Sequence, residues 1–527
     1  MTTTAGRYRL TPHIDRRFVD SLVDRVGSLG NGETFPVMGP FDESEIVRVP
    51  VAIESDVISA VARARSAQGE WARRSIEDRK RVLSRFHDLL IDNADIAMDL
   101  VQLESGKSRI PAFEEIYDTV ATTHYYLKVG PGLLRTKRRA VSFPGLTTAY
   151  ELRHPLGVVG CISPWNFPFT LSISDIVPAL LAGNGVVIKP DEKTPLSALY
   201  GAFLLERAGI PRDLLQVVTG PGESLGPALI GAVDFVMFTG STAVGRQVAE
   251  QAGQQLIGSS VELGGKNTAI VLADADLDKT IPGITRAAFA NGGQLCVSME
   301  RIHVDERIRG EFTSRFVEHT RGLVMNSAFD FSSALSSMIT REHMDRVDAH
   351  VQDALGKGAT LLTGGKARPD VGPLFYEPTV LTDVDESMDL CRGETFGPVV
   401  SIYGFDSVDD AVREANASDF GLSFSVWTKD TRRGVEVASR LQAGTVGVND
   451  GYAAVWSTYD APMGGMKASG QGRRHGAEGL LKYTEPQTIA IQKIGPAFAP
   501  VAGIGYETYH RVLGRVLKLL KRVPFYK

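Results

Sequence analysis

The first third of the chain shows the hydrophobic pattern of packed helices. In residues 53–130, stretches such as DVISAVARARSAQGEWARRS place apolar residues three or four positions apart, with charged residues between them. This spacing brings the apolar side chains onto one face of a helix, so the pattern predicts a mostly helical region. Residues 1–35 are polar and mixed, and we expect them to be irregular at the start.

From Pro155 onward, short apolar runs alternate with longer helical stretches. The runs are GVVGCIS, NGVVIKP, LLQVVTG, DFVMFTG and NTAIVL. Apolar strands that alternate with helices are typical of a parallel sheet buried on both faces, so this part predicts a doubly wound α/β sheet. A second α/β block is expected over residues 266–465, with VVSIYGF and SFSVWT as strand candidates.

Two further segments have the pattern of β ribbons. Residues 136–153, TKRRAVSFPGLTTAYELR, are rich in β-forming residues and interrupted by Pro-Gly, and residues 483–492 read YTEPQTIAIQ. An isolated two-stranded ribbon is only marginally stable in water, so these segments are expected to need a partner surface.

Composition narrows the class of protein. A chain of 527 residues is too long for one core and predicts two or three domains. The net charge of -5 argues against a nucleic-acid-binding surface. No run reaches the roughly 18 apolar residues of a membrane span, and the N-terminus has no apolar signal core, so we expect a cytoplasmic location.

Three cysteines are candidates for chemistry, and they have no CxxC or His-rich spacing, so neither a disulfide framework nor a metal site is expected. Cys161 lies in an apolar strand candidate and Cys391 in MDLCRGETFGP, and for both we favour a packing role. Cys296 follows Asn291–Leu295, where a glycine pair permits close approach of the backbone to a ligand. That observation alone leaves catalysis and packing about equally open.

Four segments elsewhere in the chain decide the question. They are Pro164–Pro168 and Glu262–Lys266, each after a strand, Glu394–Val399 in a turn, and Gly464–Gly470. In this order and at these separations they resemble the aldehyde dehydrogenase superfamily, over roughly residues 36–492. The chain is most similar to the bacterial succinate-semialdehyde dehydrogenases of that family, including the run CVSMER that starts at Cys296.

The resemblance implies an α/β aldehyde dehydrogenase fold. Its parts would be a parallel, doubly wound cofactor-binding domain (residues 1–135 and 154–265), an α/β catalytic domain (266–465), and a β-ribbon oligomerisation arm (136–153 and 483–492). The implied assembly is a homo-oligomer, a dimer or a tetramer.

The resemblance also implies the reaction, which is oxidation of an aldehyde to a carboxylic acid with NAD(P). Cys296 would be the nucleophile that forms a thiohemiacetal and then a thioester. The Asn166 side-chain amide and the Cys296 backbone N–H would stabilise the oxyanion. Glu262 would be the base that activates water for hydrolysis, and its presence argues against a relative that passes the thioester to coenzyme A. Retention of both Cys296 and Glu262 argues against an idle structural protein.

No GxGxxG follows a strand, so the cofactor residues come from the resemblance. Gly240, Ser241 and Gly245 match its phosphate loop, where a strand leads into a helix. Lys189 and Glu192 match the residues that hold the adenosine ribose. Because a carboxylate there would repel a 2′-phosphate, Glu192 favours NAD, while a mobile side chain leaves NADP open. The remaining cofactor-binding candidates are Trp165, Glu394 at the nicotinamide ribose, and Phe396 near the ring.

The substrate is harder to predict. Succinate semialdehyde is the first candidate, yet an anionic tail requires a cation at the mouth of the site. Ser174 and Ala290 stand about where related enzymes have arginines, and Arg286 is the only arginine on the helix before Cys296. An uncharged aliphatic or aromatic aldehyde is therefore the alternative. Candidate residues of an apolar tunnel are Phe167, Phe169, Trp456 and Met463.

The C-terminal segment, residues 503–527, is an additional element. Its apolar residues recur three and four positions apart between Tyr509 and Val523, with Arg511, Arg515, Lys518 and Arg522 on the opposite face. We expect a basic amphipathic helix that packs on its own subunit or on a neighbour, with contact to a membrane surface as the less favoured alternative.

Overall fold

The structure, a computed structural model, describes residues 10–27, 29–142, 146–495, 499–500 and 503–522. In its N-terminal part, one helix precedes a β hairpin and four helices follow it. The elements are α1 (Arg16–Val23), β1 (Thr34–Gly39), β2 (Ser44–Pro50), α2 (Glu54–Arg73), α3 (Ile76–Asp92), α4 (Ala94–Ser105) and α5 (Arg109–Leu134). The helical prediction for residues 53–130 is confirmed.

The start of the chain, where we expect irregular structure, lies mostly outside the described residues, and helix α1 forms after it. Asp15 caps this helix, its side chain accepting a hydrogen bond from the Phe18 backbone N–H at 2.9 Å. The helix then buries Val19 and Leu22. Two apolar residues three positions apart were too weak a pattern to identify a helix of two turns.

Strands and helices alternate through the next part of the chain. The elements are β3 (Lys137–Arg139), β4 (Thr147–Pro155), β5 (Val158–Ile162), α6 (Pro168–Ile173), α7 (Ile176–Ala182), β6 (Gly185–Lys189), α8 (Pro195–Ala208), β7 (Leu215–Val217), α9 (Gly222–Ile230), β8 (Phe235–Thr239), α10 (Thr242–Gln254) and β9 (Gly258–Glu262). The apolar runs of the sequence are the centres of these strands.

The first large sheet has a switch point in its strand order. Five of its strands run parallel in the order β9-β8-β5-β6-β7. The chain moves outward from β5 through β6 to β7, and then returns to the other side of β5 with β8 and β9. Ligands of open α/β sheets bind beyond the carboxyl ends of strands at such a reversal, here between β5 and β8. The predicted doubly wound sheet is confirmed.

A second sheet follows at once. The elements are β10 (Asn267–Val271), α11 (Leu277–Phe289), β11 (Met299–Asp305), α12 (Glu306–Arg321), α13 (Arg341–Gly356), β12 (Thr360–Thr363), β13 (Thr379–Thr382), α14 (Asp389–Arg392), β14 (Val399–Phe405), α15 (Val408–Asn416), β15 (Phe420–Gly421), β16 (Ser423–Trp427), α16 (Thr431–Ser439) and β17 (Thr445–Val448). Seven strands pair in the order β12-β13-β14-β11-β10-β16-β17, with only β12 antiparallel to its neighbour. The α/β block predicted over residues 266–465 therefore has its own sheet.

The chain ends in short elements, a long strand and a helix. They are α17 (Ala453–Trp456), β18 (Met466–Lys467), β19 (Gly470–Gln471), α18 (Gly476–Leu481), β20 (Thr484–Gln492) and α19 (Tyr506–Leu520). Strand β20 pairs antiparallel with β4 over nine residues, from Thr484 opposite Pro155 to Gln492 opposite Thr147, and β3 pairs on the other side of β4. The two predicted ribbon segments thus form one three-stranded sheet. The predicted Pro-Gly turn falls on residues 143–145, outside the described residues.

Helix α19 forms as expected but is not packed on its own subunit. None of its residues is buried, and Val512, Val516, Leu517 and Leu519 are between 38% and 64% exposed. The prediction of a helix docked on the same subunit is wrong for the described residues, and docking on a neighbour stays a prediction. Among the described residues, no helix has the length and apolar character needed to cross a membrane.

Candidate active site

The loop before Cys296 has an unusual backbone. After α11, the residues Asn291, Gly292 and Gly293 all have positive φ, at 53°, 63° and 72°. A Cβ on Gly293 would lie 2.0 Å from the carbonyl oxygen of Gly397, so only glycine fits there. The close approach inferred from the glycine pair therefore exists, but for Gly293 the neighbour is the backbone of another loop.

Cys296 is partly exposed at the end of this loop, and the Asn267 side-chain amide donates to its carbonyl oxygen at 2.7 Å. Burial raises the pKa of the Cys296 thiol to about 12, with Arg474 opposing the rise. A nucleophilic thiolate at neutral pH would therefore need a base. Cys161 and Cys391 are both buried in apolar clusters, in agreement with the packing role predicted for them.

Asn166 lies next to the Cys296 loop. It is 5% exposed, and its Nδ2 donates to the carbonyl oxygen of Gln294 at 3.1 Å. Asn291 in turn donates from its side chain to the Asn166 carbonyl oxygen at 3.1 Å. These bonds fix the Asn166 amide beside the candidate nucleophile, as an oxyanion donor requires, because such donors work only when they are already oriented.

Glu262 is the last residue of β9. It is 6% exposed, and its Oε1 is buried with no hydrogen-bond partner among the described residues. The pKa of Glu262 is raised to about 7. Burial is the largest cause and the charge of Asp175 adds to the rise, while the charges of Arg474, Lys482 and Arg473 oppose it. A carboxylate with a pKa near neutrality can accept a proton from water and release it again, as a general base must.

Arg474 was missed by the sequence analysis, although it is the first of the cations acting on both Glu262 and Cys296. It is buried, and its Nη2 contacts Asp175 Oδ2 at 3.0 Å and Thr239 Oγ1 at 3.1 Å. Its guanidinium also lies 5.9 Å from the ring centre of Trp456. The run GRRH after the Gly464–Gly470 segment was the only available signal, and a basic pair in a glycine-rich stretch usually indicates a solvated surface.

A cavity of about 170 Å³ opens on one side of Cys296. Residues that follow the ends of β5, β8 and β9 line it, on both sides of the switch point. The lining includes Trp165, Asn166, Gly240, Ser241, Gly264, Cys296, Glu394 and Phe396. Six sequence-derived cofactor and catalytic candidates besides Cys296 are thus brought together, and the position is the one where an α/β sheet binds a nucleotide.

The turn from β8 into α10 has the geometry of an anion site. The Ser241 hydroxyl caps α10 by accepting from the Val244 N–H at 3.4 Å, and Gly240 and Ser241 line the cavity at the N-terminus of this helix. Gly245 is different, because it does not line the cavity. A Cβ at Gly245 would lie 2.2 Å from the Leu263 side chain, so its role here is close packing of α10 on the sheet.

Lys189 and Glu192 lie outside the residues that line this cavity. The Lys189 Nζ is 3.7 Å from Glu192 Oε2, and Lys193 Nζ is 3.7 Å from Glu192 Oε1. Lys189 is buried, and burial lowers its pKa, whereas Glu192 is 41% exposed at its side chain. The carboxylate therefore sits between two ammonium groups and is partly exposed to solvent.

Glu394 and Phe396 are held by the loop before β14. The Gly265 N–H donates to Glu394 Oε1 at 2.8 Å, and burial together with nearby Glu300 raises the pKa of Glu394 to about 7. Phe396 has a positive φ of 55°, and its N–H donates to Glu300 Oε1 at 2.9 Å. Its ring packs edge-on against Trp165, with 5.6 Å between ring centres.

A second cavity, of about 220 Å³, lies on the other side of the loops that carry Asn166 and Cys296. The chain neighbours of these two residues, Phe167 and Leu295, line it. Its lining combines charged residues with the aromatic residues Tyr117, Phe167, Tyr452, Trp456 and Tyr459. Of the predicted tunnel residues, Phe167 and Trp456 line it, while Phe169 and Met463 do not and are buried in the two main cores. Ser174 and Ala290 are also outside its lining.

Charged groups in this second cavity come from α5 and α11. Arg286 forms an ion pair with Glu114 and lies 5.6 Å from the Tyr452 ring centre, while the Tyr452 hydroxyl donates to Glu114 Oε2 at 2.8 Å. Asp118 accepts from Trp456 Nε1 at 2.7 Å and from the Tyr459 hydroxyl at 3.0 Å. Burial raises the pKa of Asp118 to about 6.

Comparisons with known proteins agree with this geometry. A model of the aldehyde dehydrogenase family matches residues 28–489. A Mycolicibacterium smegmatis protein, provisionally named an NADP-dependent succinate-semialdehyde dehydrogenase, is 47% identical over 489 residues, 93% of this chain and 94% of that protein. The solved structure of an Escherichia coli NADP-dependent enzyme has a TM-score of 0.84 at 32% identity, covering 88% of this chain and 96% of the other. That of an NAD-dependent aldehyde dehydrogenase from Sinorhizobium meliloti has a TM-score of 0.85 at 34% identity, covering 90% and 94%.

Proposed function

This chain belongs to the aldehyde dehydrogenase family, and we propose that it oxidises its aldehyde through a thiohemiacetal and a thioester on Cys296. The observation that carries the proposal is the shared wall between the two cavities. Asn166 and Cys296 line the first cavity, and their chain neighbours Phe167 and Leu295 line the second. An aldehyde in the second cavity could thus meet the thiol with a nicotinamide in the first.

Each catalytic residue would have one task. The Cys296 thiolate adds to the carbonyl carbon, and the resulting oxyanion accepts hydrogen bonds from the Asn166 amide and the Cys296 N–H. The first cavity would hold NAD(P) as the hydride acceptor, and loss of the hydride would leave a thioester on Cys296. Glu262 then takes a proton from water, which attacks the thioester and releases the acid and the thiol. The partly buried thiol also needs to lose its proton before it attacks, and Glu262, whose charge acts on the Cys296 thiol, is the candidate base.

Release of the acid to water, rather than to coenzyme A, tests this mechanism as a whole. We expect one equivalent of free carboxylic acid for each NAD(P)H, at a rate that coenzyme A does not change. Formation of an acyl-coenzyme A would contradict the role of Glu262. No acid and no NAD(P)H with any of a broad panel of aldehydes would contradict the function itself.

For the substrate, we propose succinate semialdehyde, the aldehyde in the name of the Mycolicibacterium smegmatis relative. Arg286 supports this choice because it is the cation in the lining of the second cavity and could bind a distal carboxylate. Glu114 and Tyr452 compete for the same guanidinium, and the aromatic lining favours the second candidate, an uncharged aromatic or aliphatic aldehyde. Values of kcat/KM for succinate semialdehyde, hexanal and benzaldehyde would rank the two.

For the coenzyme, we propose that NADP is accepted as well as NAD. If the exposed Glu192 moves aside, Lys189 and Lys193 would face a 2′-phosphate with two positive charges. With the carboxylate in place, the hydroxyls of NAD would be bound instead. Comparing kcat/KM for both coenzymes in the wild type and in Glu192→Ser tests this, and the variant should shift preference toward NADP. An unchanged ratio would exclude Glu192 from coenzyme selection.

For the assembly, we propose at least a homodimer through the sheet of β3, β4 and β20, in a cytoplasmic enzyme. Strand β20 exposes nearly all of its residues, including Ile489 at 41% and Ile491 at 46%. Exposed apolar residues on a paired ribbon would be covered by a second subunit. Light scattering should give a multiple of 57.0 kDa, and a monomer would contradict this proposal.

A further inference from the structure

Helix α19 has an apolar half and a basic half. At about 100° per residue, its apolar side chains fall within roughly 160° of the circumference. The aliphatic ones are Val512, Leu513, Val516, Leu517, Leu519 and Leu520. This is wider than the stripe that a surface helix needs in order to pack on a protein core.

The other half of α19 carries positive charge. Arg511, Arg515 and Lys518 lie on it, and Lys521 and Arg522 follow directly after the helix. Within residues 503–522, the single acid is Glu507, which faces away from the apolar half. The chain as a whole has a net charge of -5, so its body would be repelled by an anionic surface that this helix attracts.

The subunit does not bury the apolar half of α19. No residue of α19 is buried, and the helix lies beyond residues 28–489, which the family model matches. Residues 493–505 connect β20 to the helix, and a chain of that length reaches at most roughly 45 Å. The helix can therefore contact a surface separate from the catalytic body.

We propose that α19 binds an anionic lipid surface and holds the enzyme there. The helix would lie in the plane of the interface, its apolar half about 5–10 Å into the boundary between headgroups and acyl chains. Its arginines and lysines would remain at the level of the anionic headgroups. The proposed ligand of α19 is thus a lipid surface with negative charge. It differs from the aldehyde and the coenzyme, which would bind at the candidate active site.

Vesicle flotation of the full-length chain tests the proposal. The vesicles contain phosphatidylcholine alone, or phosphatidylcholine and phosphatidylglycerol in equal parts. We expect flotation only with the anionic vesicles, and release as salt shortens the Debye length from about 10 Å at 0.1 M to about 3 Å at 1 M. A chain that ends at residue 502 should stay at the bottom of the gradient and keep its aldehyde oxidation in solution.

Matched variants separate charge from shape. Arg511→Gln with Arg515→Gln and Lys518→Gln should lower vesicle partitioning by about 100-fold, at about 5-fold for each charge. Arg511→Lys with Arg515→Lys keeps the charge and should bind as the wild type does. Absence of flotation of the full-length chain with anionic vesicles at low salt would overturn the proposal. So would a smaller assembly of the truncated chain in light scattering, because the apolar half would then pack on a second copy.

Discussion

The two cavities on either side of the Asn166 and Cys296 loops are built in different ways. The first cavity, in which we propose that the coenzyme binds, is the coenzyme-side cavity. It is formed largely by turns at the ends of β5, β8 and β9, where glycines and backbone groups decide the shape. The second cavity, in which we propose that the aldehyde binds, is the substrate-side cavity. It is formed largely by side chains from α5, α11 and the region around α17, which are far apart in sequence. Sheet topology dictates the first, whereas the second can change by substitution without altering the fold.

This difference explains what could be predicted from the sequence. The strands were predictable because buried parallel strands are continuous apolar runs. Asn166, Ser241 and Glu262 came from the resemblance to the family, and each follows or ends such a strand. Glu114 and Asp118 were not predictable, because on α5 they look like ordinary polar positions of a helix until the fold brings them to Tyr452 and Trp456.

Packing decided the remaining differences. Phe169 and Met463 are apolar residues close in sequence to the site, yet both point into a core, which no local pattern reveals. Gly245 lies in the predicted phosphate loop but is required by the Leu263 side chain. Arg474 acts on the site through its charge from within the protein, and burial of an arginine cannot be inferred from its neighbours in sequence.

The largest effect is expected from the proposed nucleophile, which lines the first cavity and directly follows Leu295 of the second. Cys296→Ala should lower kcat by at least about 10⁴-fold, because neither Cys161 nor Cys391 lines either cavity. Binding of NAD(P), measured by fluorescence titration, should be kept. Cys161→Ala is the matched control and should stay active. Substantial oxidation by the Cys296 variant would remove the nucleophile from the mechanism.

The next largest effect is expected at Glu262. Glu262→Gln should slow thioester hydrolysis by about 10²–10⁴-fold while leaving a rapid burst of NAD(P)H, since the base is needed most after hydride transfer. Stopped-flow absorbance resolves the two phases. If the burst is lost along with turnover, Glu262 also deprotonates the thiol, and a normal steady state would exclude it as the base.

A moderate effect confined to the substrate-side cavity is expected at Arg286. Arg286→Gln should lower kcat/KM for succinate semialdehyde by about 10- to 100-fold, because a bound carboxylate would lose its charged partner. Values for hexanal should stay close to the wild type, and Arg286→Lys should keep part of the activity. Equal losses for both aldehydes would mean that Arg286 acts on the fold of the cavity.

The smallest effect is expected where a residue acts on the site only by its charge. Arg474 lowers the pKa of Glu262 together with Lys482 and Arg473, against Asp175. Arg474→Met should therefore raise that pKa and move the alkaline rise of the hydrolysis rate upward by about one pH unit, a loss of about 10-fold at neutral pH. Arg474→Lys should restore the profile.

Asp175→Asn combined with Arg474→Met serves as the control for an unpaired buried carboxylate. It removes both charges and should shift the profile less than Arg474→Met alone. An unshifted profile in Arg474→Met, with normal thermal stability, would show that Arg474 does not set the ionisation of Glu262.

The central claim, a thioester on Cys296 between the two cavities, is tested most directly by the mass of the trapped enzyme. Glu262→Gln is mixed with aldehyde and NAD(P), quenched in acid after one turnover, digested and measured by mass spectrometry. The account predicts one acyl group on the peptide that contains Cys296, in the same amount as the NAD(P)H formed. NAD(P)H without any acyl group on Cys296, or an acyl group on another residue, would contradict it.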